Sequence, residues 1–107
     1  MELGNVATRL LFENERVKVW EMLLEPGESS DLHRHGLDYL LYILEGNSID
    51  ADRPDGTSTS YPVHPGQLAW VPRGGTERAV NRSAIRFREL LVELKEPPHP
   101  SQSTGTP

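Results

Sequence analysis

Two histidines one residue apart, His33 and His35, are the side chains of this chain best suited to chemistry. Residues i and i+2 of a strand point to the same side, so two imidazoles at this spacing converge on one spot. Neutral imidazole is the commonest protein ligand for borderline metals. The pair therefore predicts a metal site, provided that the chain supplies further ligands.

The elements that must position this pair are predicted to be short strands, because nearly every apolar cluster is brief and bounded by turn residues. Asp55-Gly56 between two extended runs is a strong hairpin signal. Strands recurring roughly every 8 to 12 residues, with turns between them, indicate an all-β sandwich or barrel. The predicted strands cover residues 7–12, 16–25, 31–35, 38–45, 47–52, 57–64, 67–71, 77–81 and 87–95.

Length and composition limit what the chain can be. Its 107 residues suffice for one domain, predicted over residues 1–95, and the polar, proline-rich residues 96–107 are predicted to form a disordered tail. A formal net charge of −5, with acids and bases interspersed, argues against a nucleic-acid partner. The chain has no cysteine, which excludes disulfides and thiolate metal sites.

Membrane association is not expected either. The longest uninterrupted apolar stretch, residues 39–44, has six residues, against the roughly 20 that a membrane-spanning helix needs. The first residues, Met-Glu-Leu-Gly-Asn, lack the basic and apolar regions of a signal peptide, so a cytoplasmic location is expected.

Glycine and proline residues frame the histidine pair at regular intervals. Gly27 precedes His33 with five residues between them, His35 follows, and Gly46 closes the segment. After a spacer of 19 residues, 47–65, a second frame consists of Gly66, Pro72, Gly74 and Asn81.

This arrangement resembles the two sequence motifs of the cupin superfamily, which are small all-β barrels of the jelly-roll type, also called double-stranded β-helices. The resemblance covers roughly residues 16–95. It is more specific over residues 14–44, which are similar to small single-domain bacterial cupins labelled as β-alanine degradation proteins; this segment reads NERVKVWEMLLEPGESSDLHRHGLDYLLYIL. The resemblance implies a small-molecule substrate or ligand and a homodimer.

Two of the four metal positions depart from the cupin pattern. Tyr39 stands where the family has a glutamate, and Glu77 stands where it has a third histidine. The resemblance therefore implies that His33, His35 and Glu77 hold one divalent metal ion. Two histidines and one carboxylate are the ligands of the non-haem iron facial triad, and the same set suits Mn, Ni, Co or Zn.

Glu77 and Tyr39 are the predicted catalytic residues, and each has an alternative role. Glu77 is either the third ligand or the partner of a nearby arginine, since a buried carboxylate needs a cation. Tyr39 is a hydrogen-bond donor beside the metal, a weak ligand, or an aromatic side chain that lines the barrel. Asp38 is one residue out of phase with the missing glutamate and is predicted to face outward.

Other candidate residues are predicted to have no chemical role. His64 adjoins a Pro-Gly turn, His99 lies in the tail, and both are expected to be solvated. The sequence contains neither a Gly-x-Ser-x-Gly nucleophile elbow nor a glycine-rich phosphate loop. Side chains predicted to pack in the core are Trp20, Met22, Leu24, Leu41, Ile43, Trp70, Phe87, Leu91 and Val92.

Two classes of function follow. The first is a metal-dependent small-molecule enzyme of dioxygenase, isomerase or lyase type. The second is a non-catalytic ligand-binding or auxiliary cupin that has lost tight metal binding. The position of Glu77 discriminates between them: a carboxylate beside the histidines favours the enzyme, and one paired with an arginine outside favours the binding protein.

Overall fold

The structure, a computed structural model, describes residues 3–96. The predicted tail lies outside the described residues except for Glu96. Each predicted strand has a counterpart, but the segment predicted over residues 31–35 forms only two residues of strand. The strands are β1 (Arg9–Glu13), β2 (Val17–Leu24), β3 (His33–Arg34), β4 (Tyr39–Glu45), β5 (Ser48–Asp52), β6 (Ser58–Pro62), β7 (Leu68–Val71), β8 (Thr76–Val80) and β9 (Phe87–Leu94).

The strands form two antiparallel sheets. The five-stranded sheet has the order β1-β2-β9-β4-β7, and the four-stranded sheet has the order β3-β8-β5-β6. Strands β5 and β6 form the hairpin that Asp55-Gly56 predicts, with Gly56 N donating to Arg53 O at 3.0 Å. Residues 3–96 contain no helix that is long and apolar enough to cross a membrane. The prediction of an all-β fold is confirmed.

The hydrophobic core lies between the sheets, because each strand turns alternate side chains toward the opposite sheet. Seven of the nine predicted core residues are buried or packed against the core. The predictions for Trp70 and Val92 are wrong: Trp70 is 55% exposed, and Val92 alternates with the inward Leu91 and Glu93 on β9 and so faces outward. On β7 it is Ala69 and Val71 that face inward, so Trp70 between them must face outward. The buried core consists of Ala7, Trp20, Met22, Leu24, Tyr39, Ile43, Ala79, Phe87 and Leu91.

Two residues of the sequence frame have clear structural roles. Gly46 has φ of +132°, and a Cβ added there would lie 3.0 Å from a ring carbon of the buried Phe87. Asn81 is fully buried, and its amide nitrogen donates to the carbonyl oxygens of Leu24 and Ile85, both at 2.9 Å. Its backbone oxygen also accepts a hydrogen bond from Gly27 N at 2.7 Å, which joins the two halves of the frame.

Candidate metal centre

The two histidines lie at the edge of the four-stranded sheet. His33 is on β3 and pairs with Glu77 on β8, so the two side chains are neighbours across the strands. The pairing continues past the end of β3, where His35 N donates to Gly75 O at 2.9 Å and Gly74 N donates to His35 O at 2.8 Å. Both imidazoles are buried, at 1% and 3% exposure, on the inner side of the sheet. The predicted convergence of the pair is therefore present.

The imidazole of His33 is oriented by the backbone. Its Nδ1 lies 2.8 Å from the carbonyl oxygen of Asp31. A carbonyl only accepts hydrogen bonds, so the proton of the neutral ring is on Nδ1 and the lone pair is on Nε2. That Nε2 lies 3.0 Å from Nε2 of His35. A backbone partner on one ring nitrogen is how metal-binding histidines are usually held.

His35 is held by stacking instead. Its ring lies 4.3 Å from the ring of Tyr39 between centroids, with an interplanar angle of 23°. Burial, and then the proximity of His33, lowers the pKa of His35 to about 4, so the ring is neutral at physiological pH. Its Nδ1 is buried and has no hydrogen-bond partner among the described residues. This nitrogen lacks the outer partner that His33 has.

Glu77 lies beside the histidines and faces the interior. One ligand atom from each of His33, His35 and Glu77 can be chosen so that all three lie within 4.8 Å of one another. No ion pair between Glu77 and an arginine is found in residues 3–96, and Arg73 is instead paired with Asp38 at 3.4 Å. Asp38 also accepts a hydrogen bond from Arg73 N at 2.8 Å, which confirms that it faces outward.

Tyr39 contributes from the opposite sheet. Its hydroxyl oxygen lies 3.4 Å from Nε2 of His35, and the ring is 5% exposed. Burial, followed by the charges of Glu77 and Glu89, raises the pKa of Tyr39 far above its ordinary value. The side chain therefore stays a neutral phenol, which agrees with a role beside the cluster and not with a phenolate ligand.

The donor set fits a divalent metal ion. Two nitrogens that are each about 2.1 Å from one ion, at an angle near 90°, lie about 3.0 Å apart, which matches the separation of the two Nε2 atoms. His33 presents an Nε2 lone pair, the neutral ring of His35 supplies a second one when its proton is on Nδ1, and Glu77 adds a carboxylate. Two histidines and one carboxylate leave coordination positions open. The cluster could hold one ion, and its geometry does not distinguish among the candidate metals.

The cluster opens onto a cavity of about 320 Å³ between the two sheets. A few polar side chains line an otherwise apolar cup, as is usual for small-molecule sites. The apolar lining includes several core residues, so packing and ligand contact share the same side chains. These residues are Met22, Leu41, Ile43, Ile49, Ala51, Pro62, Val63, Ala69, Val71, Ala79 and Leu91.

Glu89 is a cavity residue that the sequence interpretation missed. It lies on β9 at 7% exposure, between Phe87 and Leu91 on the same inward face. Burial, and then the charge of Glu77, raises the pKa of Glu89 to about 8. The alternation of side chains along β9 predicts this position, because a strand that turns Phe87 and Leu91 inward must turn Glu89 inward as well.

Comparisons with known proteins agree with this architecture. No protein-family model matches the chain. It is 29% identical over 83 residues to the β-alanine degradation protein BauB of Pseudomonas aeruginosa, covering 78% of this chain and 86% of that protein. A cupin domain from Bordetella pertussis superposes with a TM-score of 0.77 at 27% identity, over 90% of this chain and 99% of that one.

An enzyme is among the structural neighbours. The polyketide cyclase RemF of Streptomyces resistomycificus superposes with a TM-score of 0.58 at 29% identity, over 80% of this chain and 59% of that one. These likenesses agree with the two-sheet architecture. The chain therefore has the cupin fold, with sequence similarity to a bacterial β-alanine degradation protein.

Proposed function

We propose that this cupin is a metal-dependent small-molecule enzyme in which His33, His35 and Glu77 hold one divalent metal ion. The observation that carries the proposal is the approach of the two Nε2 atoms to 3.0 Å, with the Glu77 carboxylate beside them, at the wall of a cavity. A bound metal would supply Lewis-acid chemistry or, if it is iron, oxygen activation. The reaction is of dioxygenase, isomerase or lyase type.

The residues around the cluster have separate tasks in this proposal. The carbonyl oxygen of Asp31 fixes the tautomer of His33, and Tyr39 fixes the ring of His35 by stacking. The phenol of Tyr39 keeps its proton and is available as a hydrogen-bond donor to a bound substrate. The apolar walls exclude water from the substrate. Glu77 favours the enzyme over the non-catalytic alternative because it lies with the histidines and not with an arginine.

Metal content tests the proposal. Untagged wild type, His33→Ala/His35→Ala and Glu77→Ala are compared by mass spectrometry after purification, with Asp38→Asn as the control for an outward carboxylate. About one equivalent of metal is expected in wild type and Asp38→Asn, with loss in the other two variants. Glu77→His should keep the metal, because it supplies a donor at the same position. A wild type that refuses added Fe, Mn, Ni, Co and Zn would support the ligand-binding alternative.

We also propose that the protein is a homodimer that pairs through the outer face of the five-stranded sheet. Strand register aligns Trp70, Leu40, Val92, Val19 and Phe12 in one row across β7, β4, β9, β2 and β1. The end members, Trp70 and Phe12, are 55% and 54% exposed. Light scattering should give a dimeric mass for wild type and a monomeric mass for Trp70→Ser/Phe12→Ser. A monomeric wild type contradicts the proposal.

A further inference from the structure

The side chains that line the cavity beside the metal cluster are acidic or neutral. Its polar lining outside the cluster consists of Tyr39, Asp50, Tyr61, Gln67 and Glu89, and no lysine or arginine lines it among residues 3–96. The remaining residues, 1–2 and 97–107, contain no lysine or arginine either. The side chains that line the cavity thus offer acids and neutral groups to a ligand, but no cationic side chain.

The arginine that contacts the lining residue Asp50 is already neutralised. Arg82 contacts Asp50 at 2.9 Å and Asp52 at 2.6 Å between nitrogen and oxygen atoms. Two carboxylates therefore share one guanidinium, and the charge of Asp50 is compensated on the side away from the cavity. The guanidinium bonded to Asp50 is therefore not free for an anionic ligand, and no lysine or arginine lines the cavity among the described residues.

Glu89 is different because it has no such partner. No hydrogen bond or ion pair of its carboxyl group is found among residues 3–96, although the side chain is 7% exposed and lines the cavity. Glu93, four residues further along the same face of β9, has its carboxylate bonded to Trp20 Nε1 at 2.7 Å. Its oxygens are accessible from the cavity, since His35 Nδ1 is the only fully buried side-chain polar atom without a partner among the described residues. Glu89 is thus an acceptor for which the protein itself provides no donor.

We infer that the cavity selects a small, mainly apolar ligand with an amine or hydroxyl group that donates a hydrogen bond to Glu89. Apart from one anionic group that contacts the metal, such a ligand carries no negative charge. The inference rests on the proposed function for the metal contact alone. A second carboxylate or a phosphate on the ligand would be buried without a counter-ion, which is strongly unfavourable. The apolar walls take up the remainder of the ligand.

Matched probes test the charge preference without any metal. Benzylamine, benzyl alcohol and benzoate have nearly the same shape, and their binding to the chelator-treated full chain is measured by ligand-observed NMR titration. Benzylamine and benzyl alcohol should bind, and benzoate should bind at least about tenfold more weakly, a factor that corresponds to about 1.4 kcal/mol. Failure of both the amine and the alcohol to bind, or benzoate binding as tightly as the amine, would overturn the inference.

Two variants test the part played by Glu89. Glu89→Gln should weaken benzylamine binding at least about fivefold relative to benzyl alcohol, because a bound ammonium group can form an ion pair with ionised Glu89, whereas glutamine has the same volume but no charge to offer. Glu93→Gln is the matched control, since its carboxylate is bonded to Trp20 and does not line the cavity. An unchanged ratio of amine to alcohol affinity in Glu89→Gln would remove Glu89 from the ligand site.

A second pair of probes separates this inference from the metal proposal. In zinc-treated protein, benzoate has the metal as a partner, whereas terephthalate brings a second carboxylate into the cavity. Terephthalate should bind at least about tenfold more weakly than benzoate, and equal binding contradicts the inference. Failure to take up zinc contradicts the metal centre instead, and the metal-free titrations then still decide the charge preference.

Discussion

Replacing Glu89 by glutamine should remove a large pH dependence from the stability of the metal-free protein. The pKa of Glu89 rises from its ordinary value of 4.5 to about 8 in the folded state, chiefly through burial. Between these values the folded state binds a proton that the unfolded state releases, so this group's contribution to stability falls as the pH rises. Below pH 4.5 both states are protonated, and above pH 8 both are ionised.

The magnitude follows from linkage. Each pH unit within this window changes the free energy of unfolding by about 1.4 kcal/mol, so wild type should lose about 3 kcal/mol relative to Glu89→Gln between pH 5 and pH 7.5. For a domain of this size that corresponds to roughly 12–24 °C in Tm. Glutamine has the same volume and no charge to bury, so Glu89→Gln should lack this slope.

Urea unfolding in the presence of a chelator measures the effect at several pH values. The useful quantity is the difference in free energy of unfolding between wild type and Glu89→Gln, because the other ionisable groups cancel. Glu21→Gln is the control, since hydrogen bonds from Arg9 and Arg88 lower the pKa of Glu21. Its contribution is present above pH 4.5 and is lost only as the pH falls further, so the Glu21→Gln difference should be flat over the same window.

Parallel stability profiles for wild type and Glu89→Gln between pH 5 and pH 7.5 would refute the reasoning. Glu89 would then be ionised in the folded state and would have a cationic or donor partner. A slope in the Glu21→Gln difference over this window would show instead that the substitutions perturb other groups.

Three further predictions concern the frame and the cluster. Gly46→Ala should destabilise the fold by about 1–3 kcal/mol in urea unfolding, because its φ of +132° and the contact with Phe87 both oppose a side chain; a neutral result would mean that the local backbone relaxes freely. Asn81→Leu should cost at least about 2 kcal/mol in the same assay, since the carbonyl oxygens of Leu24 and Ile85 lose their donor; unchanged stability would show that water replaces the amide. Tyr39→Phe should keep the metal affinity within about twofold, and Tyr39→Leu should weaken it roughly tenfold, because only the leucine removes the ring that stacks on His35. Competition with a chromophoric chelator measures both affinities. Equal affinities of the two variants would show that stacking does not position the histidine.

Local sequence patterns predicted most of the strands and the hairpin, because turn residues and alternation act over a few residues. The outward position of Asp38 followed from phase alone, and the structure bears it out. Trp70 was misplaced because a large apolar side chain was assigned to the core without regard to Ala69 and Val71 on either side.

Glu89 shows what the sequence could not decide. Alternation along β9 places it inward with Phe87 and Leu91, but an inward carboxyl group is tolerable only beside a cavity or a partner. Whether either exists depends on how the two sheets pack. The proximity of Glu77 to the histidines is likewise a matter of strand register between β3 and β8.

The shortness of β3 has a consequence for how the proposed metal ion would enter. The strand has only two residues and lies at the edge of its sheet, held to β8 and the following turn by a few backbone hydrogen bonds. Short edge segments open locally at a lower free energy than global unfolding. The segment that carries His33 and His35 should therefore open locally without global unfolding. The exchange rate of the proposed metal ion should follow the rate of this local opening. Hydrogen exchange at the amides of His35 and Gly74 should slow on metal binding, while exchange in the central strand β9 stays unchanged.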